Sequence, residues 1–153
     1  MKKFELDEID KSILNILMKD ANISYVEIAK KIKVSTGTVH VRMKNLIAAD
    51  IVKKAFLNVD YNRLGLNMTA FVGIHLVKSS LYSEVIQELY KIPELVSAHL
   101  TTANFSIFVK IICRDSDHFH EILFDKIQKI DGVQRTETFI SLEEPIERTI
   151  QIV

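Results

Sequence analysis

Residues 34–46 read VSTGTVHVRMKNL, and this stretch decides the fold of the first third of the chain. Val39, Met43 and Leu46, with Ile47 just beyond, recur at the spacing of one helical face. Stepping 100° per residue from Met43 places Val39, Leu46 and Ile47 within about 60° of it. Gly37, Thr38, Val41 and Asn45 fall about 120° or more away, and Arg42 and Lys44 lie at the sides. A helix that only had to be soluble would carry Glu and Lys on its outer face. This one carries a glycine, hydroxyls, an amide and an apolar Val41, with Ser35 as its N-cap.

The upstream sequence supplies two more helices. Asp7 to Met18 puts Ile9, Ile13, Ile16 and Leu17 on one stripe, with acids at the start where the helix dipole favours them. Ser24 and Glu27 form a capping box before Tyr25, Ile28, Ala29 and Ile32. The tight connection KKIKVS between the second and third helices makes a helix-turn-helix. Residues 51–60, IVKKAFLNVD, alternate weakly and are expected to form one or two short wing strands. YNRLGLN, 61–67, has the Gly and Asn chemistry of a linker.

After Asn67 the pattern changes. MTAFVGIHLV is a predicted strand and SLYSEVIQELYKI a helix stopped by Pro93. LVSAHLTT and FSIFVKIIC are strands about a turn at Ala103-Asn104. DSDHFHEILFDKIQKI is a helix with Phe119, Ile122, Leu123, Ile127 and Ile130 on its apolar side, ended by Gly132. VQRTETFISL is a strand, and IERTIQIV after Pro145 is read as one more. The β-α-β-β-α-β order is the ferredoxin-like arrangement. The fold class is therefore α+β: a winged helix-turn-helix over 1–60, a linker over 61–67 and a ferredoxin-like domain over 68–153. Both helices of the second domain lie on one face of its sheet, so a second copy is the economical cover for the other.

Charge divides along the same line. The zero net charge is a cancellation: residues 1–60 hold 11 basic and 8 acidic residues, a net of +3, and 61–153 hold 9 and 12, a net of −3. Between Lys30 and Lys54 seven basic residues face one acid, Asp50. That asymmetry suits a polyanion on the first part and not the second. The single Cys113 lies in an apolar run and excludes an internal disulfide. A chain without disulfides, a signal pattern or an apolar run of about 20 residues is expected in the cytoplasm, away from membranes.

The outer face of the third helix matches what a DNA major groove offers. Arg forks onto guanine, Asn pairs with adenine, and Val or a Thr methyl meets the thymine methyl. Gly37 permits close backbone approach, and the helix N-terminus favours phosphate. The expected DNA-binding set is Ser35, Thr36, Gly37, Thr38, Val41, Arg42, Lys44 and Asn45, with Lys53 and Lys54 on phosphates.

LDEIDKSILNILMKDANISYVEIAKKIKVSTGTVHVRMKNLIAADIVKKAFLNVDYNRLG, followed by FVGIHL, TTANFSIFVK and TETFISLEEPIERTI, resembles the Lrp/AsnC, or feast/famine, family of transcription regulators over essentially the whole chain. The resemblance implies binding to double-stranded DNA, a homodimer assembling to an octamer, and an amino-acid effector, asparagine first, with no cofactor. It carries the ligand segments onto residues 99–106 and 132–139: His99, Thr101, Thr102, Ala103, Asn104 and Ser106 from one, Gln134, Thr136 and Thr138 from the other. Period-2 spacing independently puts Gln134, Thr136 and Thr138 on one strand face. Two positions depart from the family. Ala103 stands where glycine is usual, and Lys33 stands in the helix-turn-helix turn, where a positive φ costs something like 1 kcal/mol.

A decarboxylase of haem precursors on the same architecture is the enzymatic alternative, and a ligand-free assembly platform the other. His118 and His120 sit two apart on a helix, about 200° from each other, so they cannot share a metal. No catalytic residue and no metal site are expected.

Overall fold

The computed structural model describes residues 5–102 and 104–153. It divides into two compact units, the first running to Asn58 together with Ile146–Val153, the second Val59–Pro145.

The first unit is built on three helices, α1 (Glu8–Leu17), α2 (Tyr25–Ile32) and α3 (Thr36–Ala48). Each starts at a side chain that accepts a backbone N–H: Asp7 from Asp10, Ser24 from Glu27 and Ser35 from Thr38. These satisfy donors that the first turn of a helix leaves free. The boxes at Asp7/Asp10 and Ser24/Glu27 are reciprocal, since Asp10 and Glu27 reach back to the cap N–H. Lys33 ends α2 in the left-handed region at φ 56°, ψ 46°, as the sequence led us to expect, and its N–H donates to the Ala29 carbonyl. The core joins Ile13 and Leu14 of α1, Ile28 and Ala29 of α2, and Val39, Met43 and Leu46 of α3.

Three expectations fail here. Ile47, placed on the inner face by spacing, is 53% exposed. It lies at the edge of a stripe that Val39, Met43 and Leu46 already fill. Residues 51–60 form no strand, and Phe56 and Leu57 are 82% and 81% exposed. The C-terminal IERTIQIV forms none either. A strand is held by its ladder, and neither segment has one among the described residues. The C-terminal segment instead returns to the first unit. Asn15 Nδ2 donates to the Ile152 carbonyl at 2.9 Å, the Ile152 N–H donates to Asn15 Oδ1 at 2.9 Å, and Ile152 packs on the three-helix core.

The second unit follows the expected order: β1 (Met68–Leu76), α4 (Tyr82–Leu89), β2 (Leu95–Leu100), β3 (Ile107–Cys113), α5 (Ser116–His120) and β4 (Val133–Ile140). The strands pair antiparallel in the order β2-β3-β1-β4. Ala70, Val72, Ile74, Ile107, Val109 and Ile111 point to one face and are buried under Val85 and Leu89 of α4 and under Phe119, Ile122, Leu123 and Ile127. The second helix is not α-helical throughout. From Glu121 to Ile127 it widens to a π-helix. That winding suits Ile122 and Ile127, five residues apart and both fully buried. Gly132 adopts φ 98°, and an added Cβ would meet Leu81 at 3.1 Å, so the turn into β4 requires glycine.

Candidate functional site

The outer face of α3 is largely free. Val41 is 59% exposed, and Lys44, Asn45 and Gly37 are exposed. An added Cβ at Gly37 would meet nothing closer than Ser35 Oγ at 3.7 Å, so the glycine leaves open space rather than filling a packing need. Ser35 and Thr38 share a hydroxyl hydrogen bond of 2.8 Å at the helix start, and Thr36 is half-buried beside them. His40 sets its ring edge-on to Tyr25 at 4.7 Å, which makes it a packing residue of the flank.

Arg42 departs from the expected set. Its Nη1 lies 2.6 Å from Asp7 Oδ2 and 3.4 Å from Asp10 Oδ2, and its side chain is 34% exposed. It turns back toward α1 instead of outward with Val41 and Asn45. The Asp10 N–H, and then Arg42, hold the Asp7 carboxyl below its ordinary pKa. Composition gives no hint of this pairing. The one sequence signal is the Asp7-x-x-Asp10 start of α1, whose acids serve the Arg42 guanidinium as well as the helix dipole.

In the second unit the ligand residues form two groups. The Thr101 hydroxyl donates to the Phe105 carbonyl and the Thr101 N–H to the Ser106 carbonyl at 3.2 Å, closing the β2–β3 loop on itself. Ser106 N–H donates to Ile74 O at 2.9 Å and fastens the loop to β1. Thr102 and Asn104 are exposed, His99 is exposed opposite Phe108, and Ala103 lies outside the described residues. On β4, Thr136 and Thr138 stand opposite Ile74 and Val72 and so point to the helix-covered face. Gln128 donates to Thr136 Oγ1 at 2.8 Å. The ladder is irregular at His75/Leu76, and Gln134 falls in that irregularity, outside the paired register.

Ile107, Ile74 and Thr136 lie in one row across three strands. The loop and the threonines thus share one end of the sheet. They do not share a face, because the Phe105 ring lies over Gly73 on the side away from the helices. Among the described residues the two groups therefore lie on opposite faces of the sheet.

That open face carries residues the sequence reading did not single out. Phe71, Phe105, Phe108 and Phe139 form an aromatic patch with ring centroids 5.8 to 6.3 Å apart. Beside it His75 Nε2 lies 3.2 Å from Glu137 Oε1, which also meets Arg135. The signal lies in β4, where Arg135, Glu137 and Phe139 alternate with the threonine row. The other two histidines go separate ways. His118 turns inward to Glu94 at 3.2 Å, and the His120 ring lies tilted against Phe124, 4.4 Å between centroids.

Sequence families match both units. Residues 6–53 match a winged helix-turn-helix DNA-binding model, and residues 69–151 match the Lrp/AsnC ligand binding domain. The chain belongs to the Lrp/AsnC family. It is 39% identical over 151 residues to the regulatory protein AsnC of Escherichia coli K12, covering 99% of each chain. The AsnC of Haemophilus influenzae is 40% identical over 146 residues, 95% of this chain and 97% of that one. The solved structure of E. coli AsnC superposes with a TM-score of 0.92 at 38% identity, covering 97% of this chain and 100% of that one. This Lrp/AsnC chain is a DNA-binding transcriptional regulator with a ligand-binding domain. No helix among the described residues is long and apolar enough to cross a membrane.

Proposed function

We propose that the chain regulates amino-acid metabolism in the cytoplasm by reading DNA through α3 and sensing asparagine through its second unit. The observation that carries this reading is the 39% identity to E. coli AsnC over nearly the whole of both chains. In it residues 1–60 bind double-stranded DNA, 61–67 link, and the sheet domain within 68–153 senses and assembles, with Ile146–Val153 returning to the first unit. Ser35, Thr36, Gly37, Thr38, Val41, Lys44 and Asn45 meet the duplex. Thr101, Thr102, Asn104, Ser106, Gln134, Thr136 and Thr138, with His99 and Ala103, surround the amino acid. No residue is assigned a catalytic role and no cofactor is required.

Assembly completes the site. The aromatic open face supports a homodimer, since such patches on a soluble chain mark protein contacts. The two ligand groups, apart in one chain, support a pocket finished by further copies, up to an octamer. Asparagine then acts by preferring one assembly, which sets its leverage on DNA affinity.

The test is a thermal-shift panel of the full chain against the twenty amino acids. At a hundredfold excess over Kd, a true effector adds about 2.7 kcal/mol. A shift with asparagine alone is expected. A shift with a different amino acid would overturn asparagine and leave the sensor. No shift with any would overturn the sensing role.

A further inference from the structure

We propose that Arg42 is a positioning residue, and that bases are read by the ridge Gly37–Val41–Asn45, which selects A·T pairs. This rests on the DNA-binding reading above and adds to it which residues read and what they select.

The first observation is the Arg42 ion pair. Asp10 is 2% exposed, and a buried carboxylate is costly unless it is paired and hydrogen-bonded. Among the described residues its side chain accepts from the Asp7 N–H at 3.3 Å and from Arg42 Nη1 at 3.4 and 3.5 Å. The same Nη1 lies 2.6 Å from Asp7 Oδ2. Turning Arg42 outward to a guanine would take the cation from Asp10 and leave its charge buried. Arg42 therefore ties α3 to the capping box of α1. Val39, Met43 and Leu46 hold α3 by apolar contact, which fixes depth but is non-directional. The ion pair adds direction and fixes how α3 is rotated about its axis. That rotation decides which side chains point outward.

The second observation is what remains on the outer face. Positions 37, 41 and 45 are spaced by four, one ridge on the helix surface. All three are exposed, and none makes a side-chain hydrogen bond among the described residues. An Asn side chain pairs with the N6 and N7 edge of adenine, and a valine methyl packs on the thymine methyl. Gly37 lets the backbone come close. The ridge holds no cation, and guanine is read most often by Arg or Lys. Lys44, a quarter-turn away, serves phosphate.

The experiment is selection of sites from a randomised duplex with the full chain and five variants, followed by affinity on the selected and a scrambled duplex. Far-UV circular dichroism and thermal unfolding confirm that each variant folds. Wild type is expected to enrich half-sites fixed at A·T positions. Asn45→Ala should lose adenine preference at one position. Arg42→Gln should keep every base preference while its affinity for the selected site falls about tenfold, as expected when the competent orientation of α3 is about a tenth populated. Asp7→Asn, at the exposed partner, should shift affinity the same way. The double variant should be no worse than Arg42→Gln alone, since the two act through one contact. Arg42→Lys, which keeps a charge for Asp7, should recover part of the loss.

A guanine preference in wild type that vanishes in Arg42→Gln would overturn the positioning role. Unchanged adenine preference in Asn45→Ala would overturn the ridge. Additive losses at Asp7 and Arg42 would do the same for the ion pair. A wild-type chain that enriches no sequence would instead overturn the DNA-reading function itself, and this inference with it.

Discussion

Gly73→Ala tests whether the β2–β3 loop is positioned by the open sheet face. Gly73 stands opposite Phe108 on one side and Glu137 on the other, in the middle of β1. A Cβ there would lie 2.4 Å from Phe105 Cδ1 and 2.6 Å from Cε1 and Cγ. Ordinary contact begins near 3.4 Å, so the ring must withdraw by about 1 Å. It cannot do so freely. Phe108, Phe139 and His75 surround it at 5.8, 6.0 and 5.3 Å between centroids, and its carbonyl holds the Thr101 hydroxyl. Overpacking of this kind costs about 1–3 kcal/mol. Replacing glycine inside a strand returns roughly 0.5–1 kcal/mol. The net expectation is a loss of about 1–2 kcal/mol, read by urea unfolding followed by circular dichroism. Phe105→Ala removes the obstruction, so Gly73→Ala added to Phe105→Ala should cost nothing or stabilise slightly. The coupling in this double-mutant cycle is then about 1–3 kcal/mol. Additive effects, within about 0.5 kcal/mol, would refute the claim that the ring over Gly73 sets the loop.

Lys33→Gly should stabilise the first unit. The left-handed backbone costs a lysine about 1–2 kcal/mol, and the entropy of glycine takes back about 0.5–1, so the urea midpoint should rise modestly; a fall would show that the Lys33 side chain makes a contact worth more than the strain. Asn15→Ala removes both hydrogen bonds to Ile152 and should cost about 1–2 kcal/mol. The Ile152 amide should then exchange with solvent at the rate of an open chain, and unchanged protection would place its partner elsewhere. The pKa of Asp7 is lowered chiefly by the Asp10 N–H, and that of Glu27 by the Ser24 hydroxyl. A depressed carboxylate stabilises the fold above its unfolded pKa and loses that contribution as pH falls through its folded one. Helix content of the first unit should therefore hold at neutral pH and fall below about pH 4, with a shallower fall in Asp7→Asn. An identical acid profile in that variant would remove Asp7 from the account.

The helix boundaries were legible because helix starts are chemically explicit. Ser24 with Glu27, and Ser35, name their own caps, and the structure puts each where the sequence did. β1 and β3 were equally legible as strands, since each is a short run of apolar and β-branched residues bounded by turn chemistry. What failed depends on partners distant in the chain. Nothing near Arg42 announces that Asp7 and Asp10, on another helix, will take its guanidinium. Residues 51–60 and 146–153 have strand composition, yet a ladder needs a neighbour, and β-propensity describes fit to a sheet rather than a preference of the isolated backbone. The π-helical turn was hidden because Phe119, Ile122, Leu123 and Ile127 satisfy an α-helical stripe almost as well.

The two halves of the molecule differ in how complete one chain makes them. In the first unit several side chains beside the reading face are fixed by partners in the same chain: Ser35 by Thr38, Arg42 by Asp7 and Asp10, His40 by Tyr25. A reading surface must be rigid before it meets DNA, because orientation lost there is lost affinity. In the second unit the loop holding Thr101 and Ser106 is tied to β1, while Thr136 and Thr138 face the opposite side of the same sheet. Beside them lies a four-phenylalanine face, half-buried at Phe71, Phe105 and Phe108 and exposed at Phe139. A ligand shifts an equilibrium only by its differential affinity for the states, whether through contacts with a second copy or through a chain conformation that assembles differently. A pocket divided between copies has that preference built in. In the proposed function, a pocket shared between copies would let a small molecule be read out as assembly, and assembly as DNA affinity.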